Sequence, residues 1–557
     1  MSGHAGRRRP RGPTRALAAP AALIAAALAA AAPARAAEPR SAIPWLSESI
    51  QSVAPPAPSA APASPGAPAG GDGEITVTPL PAVSRDAIGL LPPESTGFSR
   101  RLWDGQSAEA VRDQILDAPG TGVPAAQALF QRLLLAEADP PAGAGAETSV
   151  LVARLDRLLG IGALEQAAAL VEAAGPDTPD LFRRWFDTGL LLDRAAEPCA
   201  ALRQNPALSP TLPARVFCLA RGGDWGAAEI TLTLGQQLGQ IDADEQALLA
   251  RFLDPELFEE AEEPPIPDPL TPLDFLMREA VGLPRPPGAL PNAFLVQDLT
   301  EHTPMRMRIE AAERLALTGA IDDGPLFAAY RSGEPAASGG VWDRAEAVQA
   351  LDAALDAPPD ARPPEAPPTQ AQPAEAPAGS AAVLAAPLAA ADAALGARGL
   401  RVAFARAYAD RLAQIDAAGW PGPDRDRLAQ LLLLAGRPDA AAAIPDPGPA
   451  VAAALALARA APDAPRPATE PPSELARFAL AGLTAADAAD DRERALASLV
   501  ATGRQGEALL GALALVAAGP AVDPQGLRAA LLTLRLAGQT EAAHAIAVET
   551  LLADAAP

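Results

Sequence analysis

Lysine is missing from this 557-residue chain, so all 44 of its basic residues are arginine. The gap removes whole mechanisms. A Walker-type phosphate loop needs its Lys on the phosphates, a protein kinase needs its strand Lys, and Schiff-base or pyridoxal chemistry needs a side-chain amine. Codon bias in a GC-rich genome accounts for the gap and for the excess of Ala, Pro, Arg and Gly. Histidine and cysteine are also scarce, at three and two residues, which leaves a zinc site short of soft ligands. Aromatic residues reach 4%, and alanine alone supplies about a quarter of a chain that is 49% apolar. Large core formers are therefore few. With 62 Pro and 44 Gly, the composition suits thin helix contacts joined by flexible segments better than one broad core. The 68 acidic residues bring the formal net charge to -24, which repels polyphosphate backbones and disfavours nucleic-acid binding.

No G-x-S-x-G elbow, H-E-x-x-H, C-x-x-C, S-x-x-K or dinucleotide glycine fingerprint occurs. Asp242-Ala243-Asp244 begins like a calcium loop but runs into a helix pattern without the required Gly. Paired carboxylates could in principle act on glycans, but among so many acids no pair stands out. The expectation is no catalytic centre, no cofactor and no metal.

What the chain does have starts at its N-terminus. Arg7, Arg8, Arg9, Arg11 and Arg15 precede an apolar stretch from Ala16 to Ala32, followed by Pro33-Ala34-Arg35-Ala36-Ala37. A basic region, a short apolar region and an A-x-A site predict a secretory signal cleaved between Ala36 and Ala37. The apolar stretch is short and weakly apolar for a membrane anchor, which needs about 20 residues. No later segment reads as a span; Ala382 to Leu395 is broken by Pro387 and Asp392. Cleavage removes six Arg and no acid, taking the net charge from -24 to -30. The expected product is an acidic periplasmic or secreted protein with no stable membrane insertion.

Cys199 and Cys218 flank the breaker run Asn205 to Pro213 at nearly equal distances, and helix-like stretches lie on either side of it. That is where facing positions of a helical hairpin come level, and an exported compartment favours pairing. A disulfide is expected, with two buried thiols or a nucleophilic Cys as the alternatives.

Helix patterns dominate from Ser107 onward: Ser107 to Ala118, Val123 to Ala138, Thr148 to Gly160, Ala163 to Ala174, Leu181 to Arg194 and Thr271 to Gly282. Glu74 to Thr78 alternates like an isolated strand or extended arm. One spacing recurs. Leu158, Leu219, Leu432, Leu499 and Leu534 are each followed four residues later by Gly162, Gly223, Gly436, Gly503 and Gly538. Each Gly is followed five later by Ala167, Ala228, Ala441, Ala508 and Ala543. In this reading Leu packs at the end of a first helix, Gly takes a left-handed turn, and Ala lets a second helix approach closely. A degenerate copy is read at Leu192, Ala196 and Ala201, and a half copy at Leu315 and Gly319 with Gly324 in the place of Ala.

The spacing resembles the tetratricopeptide repeat, with Gly503 and Gly538 close to that family's ~34-residue period. The family's early Trp-x-x-Leu-Gly positions are not matched, and its later aromatic and Pro positions mostly fail. The segments SAIPWLSESI, ARVFCLARGGDW, ALLARFLDPELF and ASGGVWDR also resemble exported proteins of unknown function from GC-rich bacteria that carry an antifreeze-glycopeptide label. That label would require runs of Ala-Ala-Thr, and none occurs.

The expected fold is all-α, with irregular tetratricopeptide-like hairpin arrays joined by Pro/Ala-rich linkers. Its expected divisions are a signal at 1–36, a linker with a short apolar patch at 37–79, a first array at 80–356, a Pro-rich linker at 357–384 and a second array at 385–557. The expected function is a non-catalytic, protein-binding scaffold in envelope assembly or maintenance. A cell-wall enzyme or its regulator, and a largely disordered Ala/Pro spacer, are the alternatives. Trp185, Trp225 and Trp342 read as inter-helix packing or as groove contacts, and the acidic run Glu259 to Glu263 as a solvated loop or a site for a basic partner. Mass spectrometry of the exported protein should find an N-terminus at Ala37. An intact chain beginning at Met1 would refute the cleavage.

Overall fold

A computed structural model describes residues 84–120, 122–144, 149–209, 211–256, 262–357, 381–462 and 471–554. The signal with Ala36 and Ala37, the 37–79 linker with its strand-like Glu74 to Thr78, most of the Pro-rich linker and part of the Glu259 to Glu263 run lie outside them. The fold is all-α. Among the described residues there is no strand, only isolated bridges at Leu91–Ala136 and Ser107–Ala142.

The first helices are α1 (Ala108–Asp117), α2 (Pro124–Leu135), α3 (Ser149–Ile161) and α4 (Leu164–Ala174). Ser107 caps α1 by accepting from the Ala110 N–H at 3.2 Å. α3 is the pillar of this region. It has Val150, Leu151, Ala153, Leu155, Leu158 and Leu159 buried, and it buries Arg154 and Asp156 as well. The Arg154 guanidinium donates to three carbonyls, at Leu134 (2.5 Å), Ile88 (2.7 Å) and Ala136 (3.0 Å), tying the 85–91 segment and the end of α2 to α3. Burial pulls its pKa down to about 10, partly offset by the Asp86 charge. Asp86 in turn accepts from the Leu151 N–H at 2.8 Å, capping the start of α3 from another element.

Next come α5 (Pro179–Leu191), α6 (Ala196–Gln204), α7 (Leu212–Arg221), α8 (Trp225–Gln237), α9 (Ala243–Leu253) and α10 (Pro272–Ala280). They surround a second core built from Phe182, Phe186, Val216, Phe217, Leu249 and Met277, among others. Four of the phenylalanines meet here. Phe182, Phe186, Phe217 and Phe252 form a chain of ring contacts with centroids 5.6–6.3 Å apart. Asp242, which opens the calcium-loop-like triplet, is the N-cap of α9, with Glu245 completing a capping box. Cys199 on α6 and Cys218 on α7 lie at disulfide-bonding distance, with Cα atoms 5.0 Å apart. A covalent link closing a loop of this size stabilises by about 3 kcal/mol in the chain-entropy account. The second core is tied to the first by a bidentate buried pair, Arg184 on α5 to Asp156 on α3, at 2.7 and 2.9 Å.

After a 3-10 segment at Asn292–Leu299, the chain continues through α11 (Met305–Leu317), α12 (Asp323–Tyr330), α13 (Val341–Asp356), α14 (Ala381–Gly396) and α15 (Arg401–Ala407). Then follow α16 (Gly422–Leu434), α17 (Pro449–Ala458), α18 (Glu474–Thr484), α19 (Asp491–Ala501), α20 (Gln505–Leu515), α21 (Pro524–Leu536) and α22 (Thr540–Asp554). The described residues before and after 358–380 share one hydrophobic core. α13 packs directly on α14, and α22 returns to pack on α2, so the contacts run in a closed circuit through α2, α3, the 3-10 segment, α11, α12, α15, α16, α17 and α22.

The five predicted turn glycines all adopt left-handed φ, between 71° and 91°. In each, the N–H after the Gly donates to the carbonyl of the expected Leu: Ala163 to Leu158, Asp224 to Leu219, Arg437 to Leu432, Arg504 to Leu499 and Gln539 to Leu534, at 2.8–3.0 Å. This is the six-to-one bond of a Schellman turn. The five paired alanines are all at most 1% exposed. The half copy makes the same bond, from Ala320 to Leu315 at 2.9 Å, with Gly319 at φ 70°.

The degenerate copy lies three residues earlier than its reading at Leu192, Ala196 and Ala201. Asp193 is the left-handed residue, at φ 55°, and Arg194 N–H donates to Gly189 O. Asp tolerates that conformation better than a residue with a bulkier side chain, which is why the turn sits there. A further turn, Leu395 to Gly399, carries Phe404 in the Ala position and was hidden by that substitution.

Close approach is not confined to the turns. A Cβ on Gly482 in α18 would stand 2.7 Å from Arg528 O and 3.0 Å from the Leu531 Cβ of α21, whereas one on Gly226 in α8 would meet nothing. Gly226→Ala should therefore raise stability by about 0.5–1 kcal/mol, and Gly482→Ala should lower it by about 1–3 kcal/mol. Urea unfolding reads both, and equal effects of one sign would contradict this packing.

Candidate functional site

Three features stand out against the packed helices. The first is a cavity of about 250 Å3 whose apolar wall comprises Ala126 and Phe130 of α2, Ile161 of α3, Leu317 at the end of α11 and Leu513 of α20. Two glutamines of α2 brace this wall. Gln127 Nε2 donates to Leu317 O at 2.9 Å, and Gln131 Nε2 to Gly319 O at 2.7 Å. Thr318 donates across to Ile161 O at 2.7 Å, joining the Gly162 and Gly319 turns. Arg157 enters from α3. Its Nη2 donates to Ala118 O at 2.7 Å, and its guanidinium lies 5.3 Å from the centroid of the Phe130 ring.

The second feature is a more polar cavity of about 370 Å3 between α4, α5 and the start of α6, lined by Glu172, Trp185, Arg194 and Glu197 among others. Trp185 is half-buried, and its indole N–H donates to Glu172 at 3.2 Å. This is the groove position considered for a tryptophan. Trp342 is half-buried against the main core instead.

The third feature is α8. Ala228, Leu232 and Gly235 face inward, while Ile230, Leu234 and Leu238 fall on the opposite side and are 63%, 51% and 70% exposed. Trp225 at its start is 52% exposed. α8 packs on α7 and α9, and its outer side carries these apolar residues beside the exposed Thr233 and Gln237.

Long-range charge pairs hold the surroundings of these features. Glu313 on α11 is 1% exposed and accepts from Tyr330 (2.8 Å), Arg344 (2.6 Å) and Arg398 (3.0 Å), joining α12, α13 and the turn after α14. Asp352 does the same for Arg331 and Tyr408. Glu549 of α22 accepts from the Ala125 N–H at 2.8 Å, capping α2, whose own preceding residue Val123 supplies no side-chain cap.

The two predicted cysteines are brought together. The five turn glycines remain separate structural positions that meet at no common site. Sequence reasoning missed Arg157, which reads in LVARLDRLLG as an ordinary helical arginine; a second Arg on a helix that is otherwise leucine-rich was the available signal. His302 is exposed, and His544 Nε2 lies 2.9 Å from Ala460 O. Among the described residues, no group of three or more His, Cys, Asp or Glu could hold a metal ion, and no helix is long and apolar enough to cross a membrane.

No family model matches this chain, and no curated protein or solved structure is similar to it. Any functional reading therefore rests on its own residues.

Burial pushes Glu549 up to about 7, against the opposing pull of the Ala125 N–H and the Arg406 charge. Because the folded pKa lies above the ordinary glutamate value, stability is fully present below about pH 4.5 and is lost as pH rises towards 7, where the unfolded chain has already released its proton. Glu549→Gln keeps the acceptor for Ala125 and removes that loss, on the order of 3 kcal/mol at pH 8. Glu245, also pushed up to about 7 by burial, leaves a residual slope in both proteins. Equal pH slopes in chemical denaturation of wild type and variant would show that Glu549 does not ionise in this way.

Proposed function

We propose that this chain is an exported, non-catalytic helical-repeat scaffold that binds another protein in the cell envelope. The observation that carries the reading is the apolar outer face of α8. In a stack of helical hairpins each outer face is covered by the next hairpin, and the hairpin α7–α8 leaves Ile230, Leu234 and Leu238 exposed. A row of this kind on a soluble surface marks an interaction site. Seven Schellman turns with one shared Leu-to-Gly spacing support tetratricopeptide-like repeats as the underlying unit. The cysteine pair suits an oxidising compartment.

Exposed acids flank the face, Asp224 and Glu229 on α8's own side and Asp242 and Asp244 at the start of α9, in a chain of net charge -24. The partner is accordingly one that presents an amphipathic helix with basic residues beside its apolar stripe. Leu234→Glu should leave the melting temperature unchanged, because the side chain is half exposed. It should also abolish the adduct formed in intact cells by a photo-crosslinker at position 230. An adduct indifferent to Leu234→Glu removes the face from the proposal, and release of soluble muropeptides by the purified protein would favour the enzymatic alternative.

A further inference from the structure

Arg157 is the one charged side chain among the described residues that line the α2–α3 cavity, and it is half-buried. Arg154, one turn earlier on the same helix, gives its guanidinium to three carbonyls. Arg184 has a carboxylate, Asp156, held by two bonds. Arg157 has one carbonyl, Ala118 O, and the face of Phe130. Its Nε is buried with no hydrogen-bond partner, as in several other arginines of the chain, and the contacts of its guanidinium among the described residues include no carboxylate. Burial lowers its pKa with no acidic group opposing. A partly desolvated cation costs free energy unless an anion or several acceptors compensate it, and the Arg157 side chain borders an apolar chamber.

We propose that this cavity binds a small monocarboxylic acid with an apolar body, its carboxylate on the Arg157 guanidinium. A carboxylate matches the planar fork of arginine. The apolar wall formed by Ala126, Phe130, Ile161, Leu317 and Leu513 suits a hydrocarbon tail and disfavours phosphate, whose second charge would find no second cation. The volume of about 250 Å3 lies just under the usual range for drug-sized ligands, which limits the guest to a short acyl chain or a single aromatic ring. The amide N–H groups of Gln127 and Gln131 already serve the carbonyls that end α11, so they shape the wall while Arg157 supplies the charge recognition. This inference does not depend on the protein-binding reading of α8.

Isothermal titration of the full chain at pH 7 with octanoate, benzoate and octanol tests it. Saturable binding of one equivalent is expected for at least one of the two acids, at least tenfold tighter than for octanol. Octanoate preferred over benzoate assigns an acyl guest, and the reverse assigns an aromatic one. Arg157→Met retains the apolar stem and removes the cation, and it should weaken the preferred acid at least tenfold. Arg157→Lys should recover part of the affinity. Octanol binding as tightly as the acids, an undiminished Arg157→Met, or no saturable heat from either acid would overturn the proposal. A thermal melt checks that the Met variant folds, and if it does not, the ratio of acid to alcohol on the unmodified chain decides.

Discussion

An alanine side chain removes so little apolar surface from water that helices built on it hold together only where their backbones come close. The rest of this structure follows from that constraint. Ala167, Ala228, Ala441, Ala508 and Ala543 sit at contacts where each is almost fully buried, and glycines such as Gly482 permit approaches that a single methyl group would obstruct. Tight reversals are needed to bring such helices level, and the left-handed glycine turns provide them with the same pair of backbone bonds each time. The rare aromatics are pooled where close approach is not enough: one cluster runs through Phe182, Phe186, Phe217 and Phe252, and another joins Phe327, Tyr330, Phe404 and Tyr408.

Beside the shared hydrophobic core, charge pairs fix how distant helices meet. In a chain without lysine every cation is a planar fork, which bonds two acceptors at once and keeps its charge when buried. Glu313 and Asp352 each gather groups from several helices, and the bonds from Arg398 to Glu313 and from Tyr408 to Asp352 cross between the described residues on either side of 358–380. Glu549 caps α2 from the far end of the chain, closing the circuit of packed helices. Buried pairs of this kind contribute little net stability but penalise wrong pairings heavily, since a misplaced partner leaves a bare charge behind.

The same logic separates structural from functional groups. Arg154, Arg184 and Glu313 are fully engaged, and their roles end with the fold. Arg157 and the outer face of α8 are where the pattern is less complete: a half-buried cation bonded to one carbonyl, and an apolar row left exposed among the described residues. The two lie on different parts of the molecule and call for different guests, a small acid and a protein helix.

The helical class, the turns at Gly162, Gly223, Gly436, Gly503 and Gly538, and the level placing of Cys199 and Cys218 were legible in the amino-acid sequence because each rests on local physics: a positive φ, a cap, or a hairpin's symmetry about its turn. The turn at Asp193 and the one at Gly399 were misread or missed, since the pattern demanded particular side chains where the backbone demands only a left-handed residue. Arg154 and Arg157 could not be told apart by any local rule, being three residues apart on one leucine-rich helix. Only the tertiary structure decided which of them meets three carbonyls and which faces a cavity, because that depends on segments brought in from residues 88, 118 and 134–136. The return of α22 to α2 was likewise decided there, through a carboxylate whose partner lies 424 residues away.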